Sequence, residues 1–168
     1  MSDFLTIINR VIAEHQLIRG NVKAAEGSVN DMEALFTLRT AHSGWSQSAT
    51  NRLIEQQNQL RQAMNNLQER LRKHFAFEED ALPPIFGEVL MQALLKAHNN
   101  LRKKIEDAKI TLDNTKLEGL NQPELLTRKS EIEQTVNQLA EEIEKHAGHE
   151  DVVLKMMKES LEAEAKKS

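Results

Sequence analysis

The chain has 168 residues, a net charge of −4, 4% aromatic residues with no Tyr and a single Trp45, and no Cys. That length buries a full core and is most simply one domain, 1–168. Mild charge of both signs excludes a basic footprint for nucleic acid or a polybasic membrane patch, and the lack of Cys excludes a disulfide framework and a thiolate metal site.

Leu, Ala, Glu, Gln, Lys and Arg dominate, with few Gly and Pro, which marks an all-α chain. The start "MSDFLTIINR" has no charged stretch leading into an apolar run, and no run approaches about 20 apolar residues. A cytoplasmic protein is the default expectation.

In chain order, the first segment reads Phe4, Ile8, Val11, His15, Ile18, Val22, Ala25. Alternating threes and fours put these residues on one inward helix face. Gly27-Ser28 is expected to close that helix. The connection 29–45 is expected to hold one short extra helix, "DMEALFTLRT", with His42 packing beside Trp45. The second segment reads Leu53, Gln57, Leu60, Met64, Leu67, Leu71, His74, Glu78. Pro83-Pro84 and Gly87 then force a tight break. The third reads Met91, Leu94, His98, Leu101, Ile105, Ala108, Leu112. "NQPE" from Asn121 is a capped start with Pro123 in the first turn. The fourth reads Ile132, Val136, Leu139, Ile143, His146, Glu150, Val153, Met157. Short later connections favour antiparallel neighbours. The expected architecture is an up-down-up-down antiparallel four-helix bundle with a short extra helix in the first connection.

Each face carries a histidine where Leu or Ile would pack, and His74 and His146 are each followed four residues later by Glu. Residues four apart stand one above the other, so each His–Glu pair points into the same part of the core. A buried carboxylate costs several kcal/mol unless positive charge offsets it. No Lys or Arg occupies any of the four faces, so a metal ion is the economical source of that charge. Counting from the turns, His74 and His98 differ in depth by roughly 6 Å, as do His98 and His146, which side chains can span.

His15, His74-x-x-x-Glu78, His98 and His146-x-x-x-Glu150 together resemble the hemerythrin HHE cation-binding pattern, over nearly the whole chain. The resemblance implies a two-iron centre, with His15, His74, His98 and His146 as terminal imidazole ligands and Glu78 and Glu150 as bridging carboxylates. Manganese suits the same donors, and zinc is left open. Two departures stand out. Oxygen-carrying hemerythrins have a second histidine four residues after the third-helix one, where this chain has Arg102. They also space the last His and carboxylate by five residues rather than four. Simple oxygen transport therefore does not follow from the resemblance. It leaves a centre that binds or senses oxygen, nitric oxide or iron, with a ferroxidase or peroxidase-like enzyme and a purely structural metal as alternatives.

Of the remaining residues, His149 is expected to face solvent, and Glu79 and Asp80 to be solvated, with Glu79 a weaker candidate for supporting a ligand. Phe75 and Phe77 flank the His74–Glu78 pair and could keep it dry. Gly148 could open space beside the metals. Met64, Met156 and Met157 read as core filler, and Gln57 as lying toward the opposite end of the bundle. If the protein is a sensor, the 29–45 connection is the expected bistable element. No phosphate loop or Ser nucleophile with a base is visible.

Overall fold

The computed structural model describes residues 2–41, 47–117 and 119–167. They form four long helices: α1 (Ser2–Ala41), α2 (Gln47–Ala81), α3 (Pro83–Asn114) and α4 (Gln122–Lys167). The buried stripe of α1 runs Ile8, Val11, His15, Ile18, Ala25, Val29 and Met32. That of α3 runs Met91, Leu94, His98, Leu101, Ile105, Ala108 and Leu112. These stripes keep the spacing of a helix that buries one face.

Cross-helix pairs fix which helices adjoin. Arg19 on α1 meets Glu144 and Asp151 on α4, and farther along α1 Glu33 meets Lys129, so numbers rise in one helix as they fall in the other. Gln68 meets Glu106 and Arg61 meets Asp113 across α2 and α3, and Lys104 meets Glu142 across α3 and α4 at 2.9 Å.

Helix α1 does not stop at Gly27-Ser28, and residues 31–40 continue it rather than forming a separate short helix. The Ser28 hydroxyl donates back to the Ala24 carbonyl, so it does not act as a cap. Val29 and Met32 are buried at the positions the stripe requires, and their burial outweighs the helix propensity lost at one glycine. The connection thus shortens to residues beyond Ala41, and the bistable element expected over 29–45 is largely helix. His42 and Trp45 lie outside the described residues.

The other punctuation is sharper. Leu82 alone separates α2 from α3; its N–H donates to the Glu78 carbonyl, and its own carbonyl accepts from Ile85 and Phe86. Gly87 then kinks α3 at φ 77°, a conformation that L side chains rarely adopt. At the start of α4, Asn121 and Glu124 exchange reciprocal backbone-to-side-chain hydrogen bonds, a capping box. Gln57 is buried and donates to the Thr115 carbonyl at the end of α3, away from the Leu82 turn.

The apolar core is in two parts. A large cluster runs from Ile18, Leu71, Leu101 and Ile143 toward the Leu112 end. A smaller one holds Ile8, Val11, Leu82, Met91, Leu94 and Leu154. Between them in sequence, on every helix, lie the residues that break the apolar pattern. Met64 is core, as expected, but Met156 is 66% exposed, because it falls between the buried positions of α4.

Candidate metal centre

All six residues singled out by spacing converge in this polar layer. His15, His74, Glu78 and Glu150 form one group whose potential ligand atoms all lie within 4.8 Å of one another. Glu78, His98, His146 and Glu150 form a second, sharing both carboxylates with the first. The four helices each supply a histidine, and α2 and α4 add the glutamates one turn on.

Each imidazole turns Nε2 toward the carboxylates. His15 Nε2 is 3.2 Å from Glu150 Oε2, and His74 Nε2 is 2.7 Å from Glu78 Oε1. His98 Nε2 lies 3.5 Å from Glu78 Oε1 and 3.7 Å from Glu150 Oε1, and His146 Nε2 contacts Glu150 Oε1. The histidine rings pair edge to face, His15 with His74 and His98 with His146. Phe75, buried, stacks on His98 with centroids 4.0 Å apart. Phe77 is only half-buried and carries Arg10 over its face.

Electrostatics set the two carboxyls apart. Burial pushes Glu78 up to about 12, and the close Glu150 carboxylate adds to the rise. Burial would raise Glu150 as well, but close contacts with Glu78, His146, His15 and His98 hold it well below the usual carboxylate range. Two like charges side by side in a dry site do not both ionise, so a proton resides on Glu78. Burial drops His74 to about 3, with His15 adding to the fall, and lowers His98 against the pull of Glu150. His15 is raised: burial opposes protonation, but the hydrogen bonds to Glu150 and Asp151 outweigh it.

Hydrogen bonding leaves this layer incomplete. Both oxygens of Glu78, both ring nitrogens of His74 and His98, Nε2 of His146 and Oε1 of Glu150 are buried without a hydrogen-bond partner. Such atoms are rare in native proteins and call for an explanation. A cation among them satisfies the inward-facing ones, Nε2 of His74, His98 and His146 and the carboxylate oxygens, while Nδ1 of His74 and of His98 faces Glu14 and Glu79 outside the layer. Neutral imidazole with carboxylate is a donor set for divalent first-row metals. The residues present fit a metal.

Around the layer stand further groups: Asp151 and Glu14, which spacing alone missed, and Glu79, which the sequence offered as a weaker candidate for supporting a ligand. Asp151 Oδ1 accepts from His15 Nδ1 at 2.6 Å, while its other oxygen is held by Arg19 at 2.8 Å. Glu14 places a carboxylate oxygen 3.6 Å from His74 Nδ1. Glu79, expected to be solvated, is half-buried, 3.8 Å from His98 Nδ1 and gripped at two points by Arg102 at 3.0 and 2.6 Å. Arg102 therefore serves Glu79 rather than the centre. The signal was an acidic neighbour in sequence: Glu14 before His15, Glu79 after Glu78, Asp151 after Glu150. Asp80 and His149 are exposed, as expected.

The sequence profile described as the hemerythrin HHE cation binding domain matches residues 6–125, which include His15, His74, Glu78 and His98 and end before His146 and Glu150. No curated protein and no solved structure matches the chain. With most of its length matched, from α1 into the start of α4, the chain belongs to the hemerythrin HHE cation-binding family.

Proposed function

We propose that the polar layer holds a pair of iron ions inside an up-down-up-down bundle and that the centre binds or senses oxygen or nitric oxide. The observation that carries this reading is the sharing of Glu78 and Glu150 between two His-containing groups. His15 and His74 would hold one ion, His98 and His146 the other, and the two glutamates would bridge both. Ferrous iron held by these residues would supply the capacity to take up a small diatomic ligand.

The protein's own groups prepare that site. Glu78, whose proton is held by burial beside Glu150, would give that proton up on taking a cation. Asp151, anchored by Arg19, fixes the ring of His15 through Nδ1 and leaves Nε2 facing inward, the usual way a carboxylate orients a ligating histidine. Phe75 and the Ile8–Leu154 cluster keep bulk water out.

Metal content by mass spectrometry, with an absorption spectrum on the same sample, tests the proposal. About two irons per chain are expected, with near-ultraviolet bands that respond to oxygen. Glu78→Ala and Glu150→Ala are each expected to lose the metal and stay helical by circular dichroism. Two irons retained in either variant would refute the bridging roles, and a protein that takes up no iron under anaerobic ferrous loading would refute the centre. A stable oxygen adduct supports binding, whereas steady turnover of peroxide or ferrous iron would replace it with an enzymatic function.

A further inference from the structure

The six residues are not equally sealed. His15, His74, Glu78 and His98 are at most 1% exposed and Glu150 6%, whereas the His146 side chain is 14% exposed. It opens into a surface hollow of about 150 Å3 between α3 and α4, lined by Ala97, Asn100, Leu101, Glu142, Lys145, His146 and His149. The hollow is open where a small residue, Ala97 of α3, faces the gap. The groove between α1 and α4, about 390 Å3, and the wider part of the α3–α4 groove, about 470 Å3, have no contact with any of the six.

We infer that small ligands reach the centre through this α3–α4 cavity and meet it on the His98/His146 side, not on the His15/His74 side. The inference deepens the proposed function and rests on it. Its size admits a molecule of two or three heavy atoms. Its charge selects further: Glu142 is held by Lys104 at 2.9 Å, and Lys145 adds a positive charge, so the mouth suits a neutral diatomic or a small anion rather than a cation. On the opposite side, His15 is closed in by Asp151 and Arg19, and His74 by Glu14.

Two measurements decide it. In the first, the iron-loaded protein is mixed rapidly with azide and the growth of its absorption band is followed. Ala97→Leu fills the cavity and is expected to slow azide binding about tenfold or more while the equilibrium affinity changes far less. Asn100→Trp, at an exposed position on the same cavity, is expected to do likewise without disturbing the core. Gly20→Leu, on the exposed face of α1 with open space around it, is expected to leave the rate unchanged. Unchanged rates in both cavity variants would overturn the route.

In the second, metal-free protein is treated with diethyl pyrocarbonate and each modified histidine is located by mass spectrometry. His146 is expected to react ahead of His15, His74 and His98; reaction no faster than theirs would overturn the route. This second readout needs no iron. A protein that never takes up iron would therefore defeat the proposed function, while the order of histidine modification still decides whether the cavity is the way in.

Discussion

At Glu78 the chain buries a carboxyl where Leu would pack, and its cost has a definite pH dependence. The folded-state value is raised from an ordinary 4.5 to about 12, so the metal-free fold is favoured by a proton that the unfolded chain gives up. That contribution is fully present below pH 4.5 and is lost as pH rises toward 12. His74 acts oppositely: lowered from 6.5 to about 3, it contributes stability above pH 6.5 that is lost as pH falls toward 3. Metal-free protein is therefore expected to melt at progressively lower temperature as pH rises from 7 to 9. Metal-free Glu78→Gln should lack that slope, since it keeps the shape without the titrating proton; thermal melts at three pH values check both. The four histidines and two glutamates were legible because a helix face repeats every three or four residues, and a polar residue in that register has nowhere to go but the core. Asp151 was not legible. It stands one position past Glu150, off the expected spacing, and its role depends on His15 lying across the bundle, which spacing within one helix does not reveal.

Among the elements, the breaks that bind chemistry to geometry were readable: Pro83 has no N–H to donate, Gly87 adopts φ 77°, and Asn121 and Glu124 satisfy each other's backbone. Gly27-Ser28 misled because glycine only weakens a helix, whereas continued burial of Val29 and Met32 rewards it. A Cβ at Gly27 would meet nothing within 4 Å and the helix carries on through it. Gly27→Ala is thus expected to stabilise the protein by about 0.5–1 kcal/mol, read as a rise in the urea midpoint with an unchanged slope. A loss of stability would mean that α1 breaks in solution where it is continuous here.

Across the whole molecule, a polar layer separates a large apolar cluster from a small one made by the start of α1, the Leu82 turn and the later part of α4. Without a cation, that layer holds orphaned polar atoms, which weakens the junction between the small cluster and the large one. Hydrogen exchange is expected to show residues 2–14, 76–96 and 151–165 gaining protection on metal loading, with little change around Leu60, Leu67, Ile105 and Val136. Uniform protection along the chain would contradict the division. The same layer also joins parts of the chain that are made far apart in time. His15 Nδ1 contacts Asp151 across 136 positions of sequence. On the ribosome, where segments appear in order from the N-terminus, His15, His74, Glu78 and His98 emerge well before His146 and Glu150. A nascent chain at that stage can offer a passing cation only a partial, mismatched set of donors. A metal that takes ligands from all four helices would therefore be loaded late in biosynthesis, once α4 has been made and docked.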